Sequence, residues 1–276
     1  MPITHILTPV DFSQCAIDAL HVAGQLAQLA NAKITILHVY SVPIPASDIA
    51  FATDSTHYKS LEQEAIDKLE ELKGQVSTLN KVEVAYKLDC SYPVHAISAM
   101  ATELNVDLIV MGTMGATGIS EFLIGSNAAD TATQAPCPVL CTSIGITELH
   151  PRKIALATDF KHTESPSLDL VKQLARLFNS EIEFLHIQPN PKTIDVNKSA
   201  EALNLHHLFA DIKHSYHFLN DQNITKGIER FISDKEIDLL VTIHRDHTLF
   251  ERLFDTSVTK KMAMHLPIPL LAIKED

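Results

Sequence analysis

Four of the chain's eight glycines, Gly112, Gly115, Gly118 and Gly125, crowd into fourteen positions, and Ser126 follows the last of them. Glycine costs conformational entropy unless the backbone needs a positive φ or a close approach, so this concentration marks a special loop. It comes directly after the apolar run Val106-Asp107-Leu108-Ile109-Val110-Met111. A buried strand, a glycine loop and a small hydroxyl residue opening a helix can hold a phosphate. Backbone N–H groups point at the anion and the helix dipole favours it. The same stretch limits the chemistry. A P-loop sets a lysine against the β- and γ-phosphates, whereas no lysine or arginine occurs from 112 to 126. Thr113 and Met114 offer no general base. The pattern predicts binding, with phosphoryl transfer slow at best.

Cysteines and histidines are the other reactive types. Cys15, Cys90, Cys137 and Cys141 form no CxxC pair. Cys137 and Cys141 flank Pro-Val-Leu, so at strand rise their Cα atoms lie about 13 Å apart, too far to bridge. All four are expected to be unreactive small hydrophobes. Among the fifteen histidines, the second half holds His206-His207, His214, His217, His244 and His247. His214 and His217 stand at an odd spacing on a presumed strand and face opposite sides, a poor pair for one metal. His244 and His247, with His186 at the end of a neighbouring strand, are the better zinc candidates; solvated polar side chains are the plainer alternative.

Alternating elements must position these residues. Ile6 to Val10 reads as a strand closed by Asp11-Phe12-Ser13, where either Asp11 or Ser13 can cap a helix through Ala16, Ala19, Leu20, Ala23 and Ala27. Lys33 to Val39 is a second strand, and a polar loop runs from Ser41 to about Ser55. A helix follows with Leu61, Ala65, Leu69 and Leu72 on one side. Val82 to Leu88 alternates as a strand, Val94 to Leu104 reads as a helix, and Pro138 to Thr142 is a fifth strand. Strands alternating with helices mean a parallel sheet covered on both faces.

The chain then repeats itself. Lys153 to Phe160 echoes His5 to Phe12, and Leu185-His186-Ile187 echoes Leu37-His38-Val39, both 148 positions later. Ile237 to Val241 and Pro267 to Leu271 echo Val106 to Val110 and Pro136 to Leu140 at an offset of 131. The second copy is therefore 17 residues shorter, with the loss expected between about 40 and 82. Two domains follow, 1–146 and 150–276. In the second, Gly112, Gly115, Gly125 and Ser126 become Ile243, Asp246, Thr256 and Ser257, so the glycine site is erased.

Composition supports a soluble globular protein: 276 residues, 46% hydrophobic, 20% charged and a formal net charge of −12. Without a basic cluster, nucleic acid and anionic membranes are not expected partners. No apolar run approaches the roughly 20 residues of a transmembrane helix. The N-terminus reads straight into a strand without a signal-peptide pattern, and the cytoplasm is the expected location.

Together these residues resemble the universal stress protein family in its tandem two-domain form. The family signature is Gly, two residues, Gly, nine residues, Gly, then Ser or Thr; here it runs from Gly112 through Gly115 to Gly125-Ser126. Thr8 to Ser13, Leu37-His38-Val39 and Val106 to Gly112 are its companions. The likeness covers the first half throughout and the second by layout and strand sequences.

The resemblance implies an α/β fold of two tandem Rossmann-like (adenine nucleotide α-hydrolase-like) domains, each a five-stranded parallel sheet flanked by helices. The first and fourth strands would be neighbours where strand order reverses, the place where open α/β sheets bind ligands. It also implies that Gly112, Gly115, Ala116, Gly125, Ser126 and Asn127 contact ribose and phosphates. Pro9, Val10, Met111 and Val39 would form the adenine wall, and Asp11 would bond the nucleotide or help hold a divalent ion such as Mg²⁺. The fifth strands of the two domains would pair within one chain as a pseudo-dimer, with a further homodimer open.

The expected function is a cytoplasmic stress protein that binds ATP, or AMP or ADP, in its first half as a regulatory module. Two alternatives stand beside it. One is a slow Mg²⁺-dependent hydrolase; the other is a nucleotide-independent scaffold, or a metal or small-molecule binder acting through the second half.

Overall fold

The computed structural model describes residues 2–40, 55–113, 126–158, 166–188, 198–244 and 268–274. The first half comprises β1 (His5–Pro9), α1 (Gln14–Ala30), β2 (Lys33–Val39), α2 (Ser55–Gln75), β3 (Val84–Asp89), α3 (Pro93–Glu103), β4 (Leu108–Gly112), α4 (Ser126–Gln134) and β5 (Val139–Thr142). The second comprises β6 (Lys153–Ala157), α5 (Pro166–Phe178), β7 (Glu181–Gln188), α6 (Lys198–Leu208), β8 (His214–Asn220), α7 (Ile224–Lys235), β9 (Leu239–His244) and β10 (Leu270–Lys274). The expected strand from Val82 begins two residues later, because the Val82 N–H is held by the Leu79 carbonyl in the preceding turn.

All ten strands join one sheet in the order β3-β2-β1-β4-β5-β10-β9-β6-β7-β8. Each half is parallel throughout, and β1 and β4 are neighbours as expected. The halves meet through the antiparallel pair of β5 and β10, with Leu140 opposite Leu271 and Cys141 opposite Leu270. Leu140 and Leu271 are equivalent at the offset of 131, so each half presents the same strand to the other about a local two-fold. This satisfies two edges that would otherwise be open to other chains.

Strands buried on both faces read as continuous apolar runs, and β4 and β5 do so. One core layer packs α1, α2, α5 and α6 on one face across both halves. A second layer packs α3, α4 and α7 on the other. The register of β2 with β3 and of β7 with β8 puts the lost residues between the second and third strands of each half. There α2 has 21 residues and α6 has 11.

Side chains also tie the halves together. Gln25 donates to the Leu149 carbonyl at 2.9 Å and accepts the Leu149 N–H at 2.7 Å. Gln173, its counterpart, accepts the Ile3 N–H at 3.1 Å. Asp18, buried, accepts the Gly145 N–H at 2.7 Å, and Gly145 turns the chain at φ 84°. A left-handed backbone there favours glycine.

Candidate functional site

The sheet brings the expected nucleotide residues of β1, β2 and β4 to one edge, where the carboxyl ends of these parallel strands lie side by side. Pro9 ends β1, Val39 ends β2 and Gly112 ends β4. Beyond β1 the turn is closely held. The Val10 N–H donates to Leu37 O at 2.8 Å, and His38 Nδ1 bonds Val10 O at 2.7 Å. Carbonyls only accept, so Nδ1 carries the proton. Both backbone groups of Val10 are thus engaged and its side chain is buried, which leaves Val10 little to offer a ligand. Phe12 takes φ 63° and sets its ring 4.7 Å from that of His38.

The choice of helix cap is resolved. Ser13 accepts the Ala16 N–H at 3.2 Å and caps α1, while exposed Asp11 accepts the Ser13 N–H at 3.0 Å. Asp11 therefore shapes the turn and keeps a carboxylate at the strand edge.

Gly112 has a packing role that sequence reasoning did not reach. A Cβ there would lie 2.8 Å from the backbone C and O of Cys15 and from its Sγ. The absent side chain lets the first turn of α1 approach the end of β4. Cys15 in turn points its Sγ at Thr142 O at 3.5 Å, and the Thr113 N–H donates to the same carbonyl at 2.9 Å. Met111 is buried beneath this edge. Ser126 opens α4 and exposed Asn127 follows it. Gly115, Ala116 and Gly125 lie outside the described residues.

Burial pushes the Cys137 and Cys141 thiols up to about 12, beyond the range in which a thiolate forms at neutral pH. All four cysteines are free; Cys15 and Cys141 are buried, while Cys90, just after the last residue of β3, is exposed.

In the second half, His186 Nδ1 bonds Thr158 O at 2.9 Å, the counterpart of the His38 bond. His186 is thus held by the turn after β6 as His38 is by the turn after β1. The side chain of His244 and all of His247 lie outside the described residues. Among the described residues no group of three His, Cys, Asp or Glu side chains could hold a metal. His214 and His217 do face opposite sides: one contacts His206 of α6, the other Phe231 of α7. Ile243 stands in β9 where Gly112 stands in β4, half-buried against the core. Among the described residues no helix is long and apolar enough to cross a membrane.

Comparison with known proteins matches the universal stress protein family model twice, over residues 2–143 and 150–274. A universal stress protein of Methanocaldococcus jannaschii is 30% identical over 139 residues, 49% of this chain and 79% of that protein. One of Thermus aquaticus is 30% identical over 137 residues, 49% of this chain and 95% of that protein. A solved universal stress protein from Archaeoglobus fulgidus covers 100% of both chains with a TM-score of 0.75 at 18% identity, a likeness of fold.

Proposed function

The chain belongs to the universal stress protein family in both halves, and from that premise we propose that its first half binds ATP or a related adenine nucleotide while its second does not. The observation that carries the reading is the asymmetry at the strand ends. In the first half β4 ends on Gly112, close under the first turn of α1, and the glycine series continues in sequence to Ser126 at the start of α4. In the second half Ile243 fills the matching place.

Gly112, Gly115, Ala116, Gly125, Ser126 and Asn127 take ribose and phosphates, Pro9, Met111 and Val39 line the base, and Asp11 faces ribose or a cation. We assign the chain a regulatory role in the cytoplasm, as a binding module without efficient turnover, in a domain spanning 1–146 beside a partner domain spanning 150–276.

Charge adds a condition. Up to residue 149 the chain has six lysines and no arginine against sixteen acids. A polyanion entering an acidic half is favoured by a divalent ion, which binds oxygen donors; Asp11 and the phosphates would supply them.

Isothermal titration of the full chain tests the reading. One ATP or AMP per chain is expected, weakened by chelator and lost in Gly115→Asp, which copies Asp246. No binding, or binding untouched by Gly115→Asp, rejects it.

A further inference from the structure

His206 of α6 and His214 of β8 face each other in the second half, and His214 sits where the first half keeps Val84. The Ala210 N–H bonds His207 O as Asn80 bonds Ser77 O, and the Ile212 N–H bonds Phe209 O as Val82 bonds Leu79 O. Ile182 pairs with His214 as Ile34 pairs with Val84. One offset of 130 therefore carries His214 onto Val84. It stops short of α6: the Phe209 N–H bonds Leu205 O where its counterpart, the Leu79 N–H, bonds Val76 O, so buried Leu205 takes the place of Val76 and exposed His206 has no equivalent in the first half. The ring nitrogens His206 Nδ1 and His214 Nε2 lie 3.0 Å apart.

Their protonation is fixed from one side. His214 Nδ1 lies 2.7 Å from Ile212 O, and a carbonyl only accepts, so Nδ1 carries the hydrogen. In the neutral ring Nε2 then holds a lone pair aimed at His206. This is how a backbone carbonyl orients a metal-binding histidine.

The geometry points to a transition-metal site between His206 Nδ1 and His214 Nε2, taking Cu²⁺ in preference to Ni²⁺ and Zn²⁺. Imidazole pairs follow the usual affinity order, in which Cu²⁺ stands above Ni²⁺ and Zn²⁺, and the 3.0 Å hydrogen-bond spacing already brings both rings within reach of one ion. His206 moves its proton to Nε2, both rings tilt toward a common apex, and water completes the coordination. Hard cations such as Mg²⁺ gain nothing from two imidazoles. Binding weakens at low pH as protons compete for the lone pairs.

Titrating the full chain with CuCl₂, followed by electron paramagnetic resonance, tests the site. One tight copper per chain is expected, with splitting from two imidazole nitrogens. Replacing both residues by valine, H206V with H214V, lowers that affinity roughly tenfold or more and removes the two-nitrogen signal. His206→Ala, a change on the exposed side, gives the same reading should the valine variant fail to fold. His207→Ala keeps the signal. A two-nitrogen signal that survives both H206V/H214V and His206→Ala, or the absence of any tight copper in the wild type, overturns the proposal.

Discussion

Asp107 and Asp238 do the same work in the two halves of this chain. Asp107 accepts the Thr4 N–H at 2.8 Å and the His5 N–H at 3.0 Å, fixing the start of β1. Asp238 accepts the Arg152 and Lys153 N–H groups at 2.8 and 2.9 Å, fixing the start of β6. The left-handed residues coincide as well: Asn31 and Asn179 end equivalent helices, and Asn105 matches Glu236.

At the other strand ends and beneath the helices the halves part. Gly112 becomes Ile243, Thr35 becomes Glu183, and the register sets Ser215 and His217 against Ala85 and Lys87. The features that recur hold backbone groups, which each half needs in order to fold. Those that differ are side chains at the strand ends or facing a helix, where two copies in one chain can diverge without losing the sheet.

The largest expected test of that contrast is Gly112→Ile, which writes the second half's residue into the first. With the Cys15 backbone 2.8 Å from the new Cβ, overpacking costs about 3 kcal/mol and nucleotide binding disappears. Urea unfolding and titration calorimetry read the two effects, and an unchanged midpoint would refute the packing role of Gly112.

The buried Glu183 belongs to the second half alone. Burial acts to raise its carboxyl, but hydrogen bonds from Ser215 and from His217, at 2.5 Å, outweigh this and hold it below its ordinary 4.5. Its contribution is therefore fully present above about 4.5 and lost as pH falls through the lower folded value. Removing the partner with His217→Ala strands the charge and costs about 3 kcal/mol at pH 7. Glu183→Gln flattens the acid limb of a denaturation series, and a limb of unchanged slope would show that the pair contributes nothing.

Asp107→Ala and Asp238→Ala should each cost about 1–2 kcal/mol, the first somewhat more because Asp107 also accepts the Thr4 hydroxyl at 2.7 Å. A cost confined to one of them would break the equivalence. The smallest effect is expected at the left-handed pair. Glu236→Asn, which copies Asn105, gains about 0.5–1 kcal/mol by relieving a side chain at φ 55°, measured as a rise in Tm; a fall would mean that Glu236 has a stabilising role of its own.

Much of this architecture is legible in the residues. Lys33 to Val39 and Leu108 to Met111 announce buried strands because parallel strands covered on both faces need apolar residues throughout. Ser13 announces a helix start because few side chains can accept an orphan N–H, and the two offsets locate the shortening between the second and third strands. The glycine series from Gly112 to Gly125 raises the expectation of a binding loop for the same local reason. Each of these signals depends on a residue and its near neighbours.

Long-range contacts decided the rest. No spacing rule connects Gly112 with Cys15, nearly a hundred positions away, and the reason that position must be glycine lies in the approach of α1 to β4. Nor could the sequence show that His206 and His214 face each other across a turn, whereas the pairing of the two fifth strands, expected from the family resemblance, is met with Leu140 opposite Leu271. Periodicity fixes which way a side chain points along its own element, whereas what it meets there depends on elements brought in from elsewhere in the chain. The sequence alone determined two copies of one nucleotide-type fold, with a glycine loop kept in only one. The tertiary structure decided how the copies close one sheet and which side chains the second copy sets against each other.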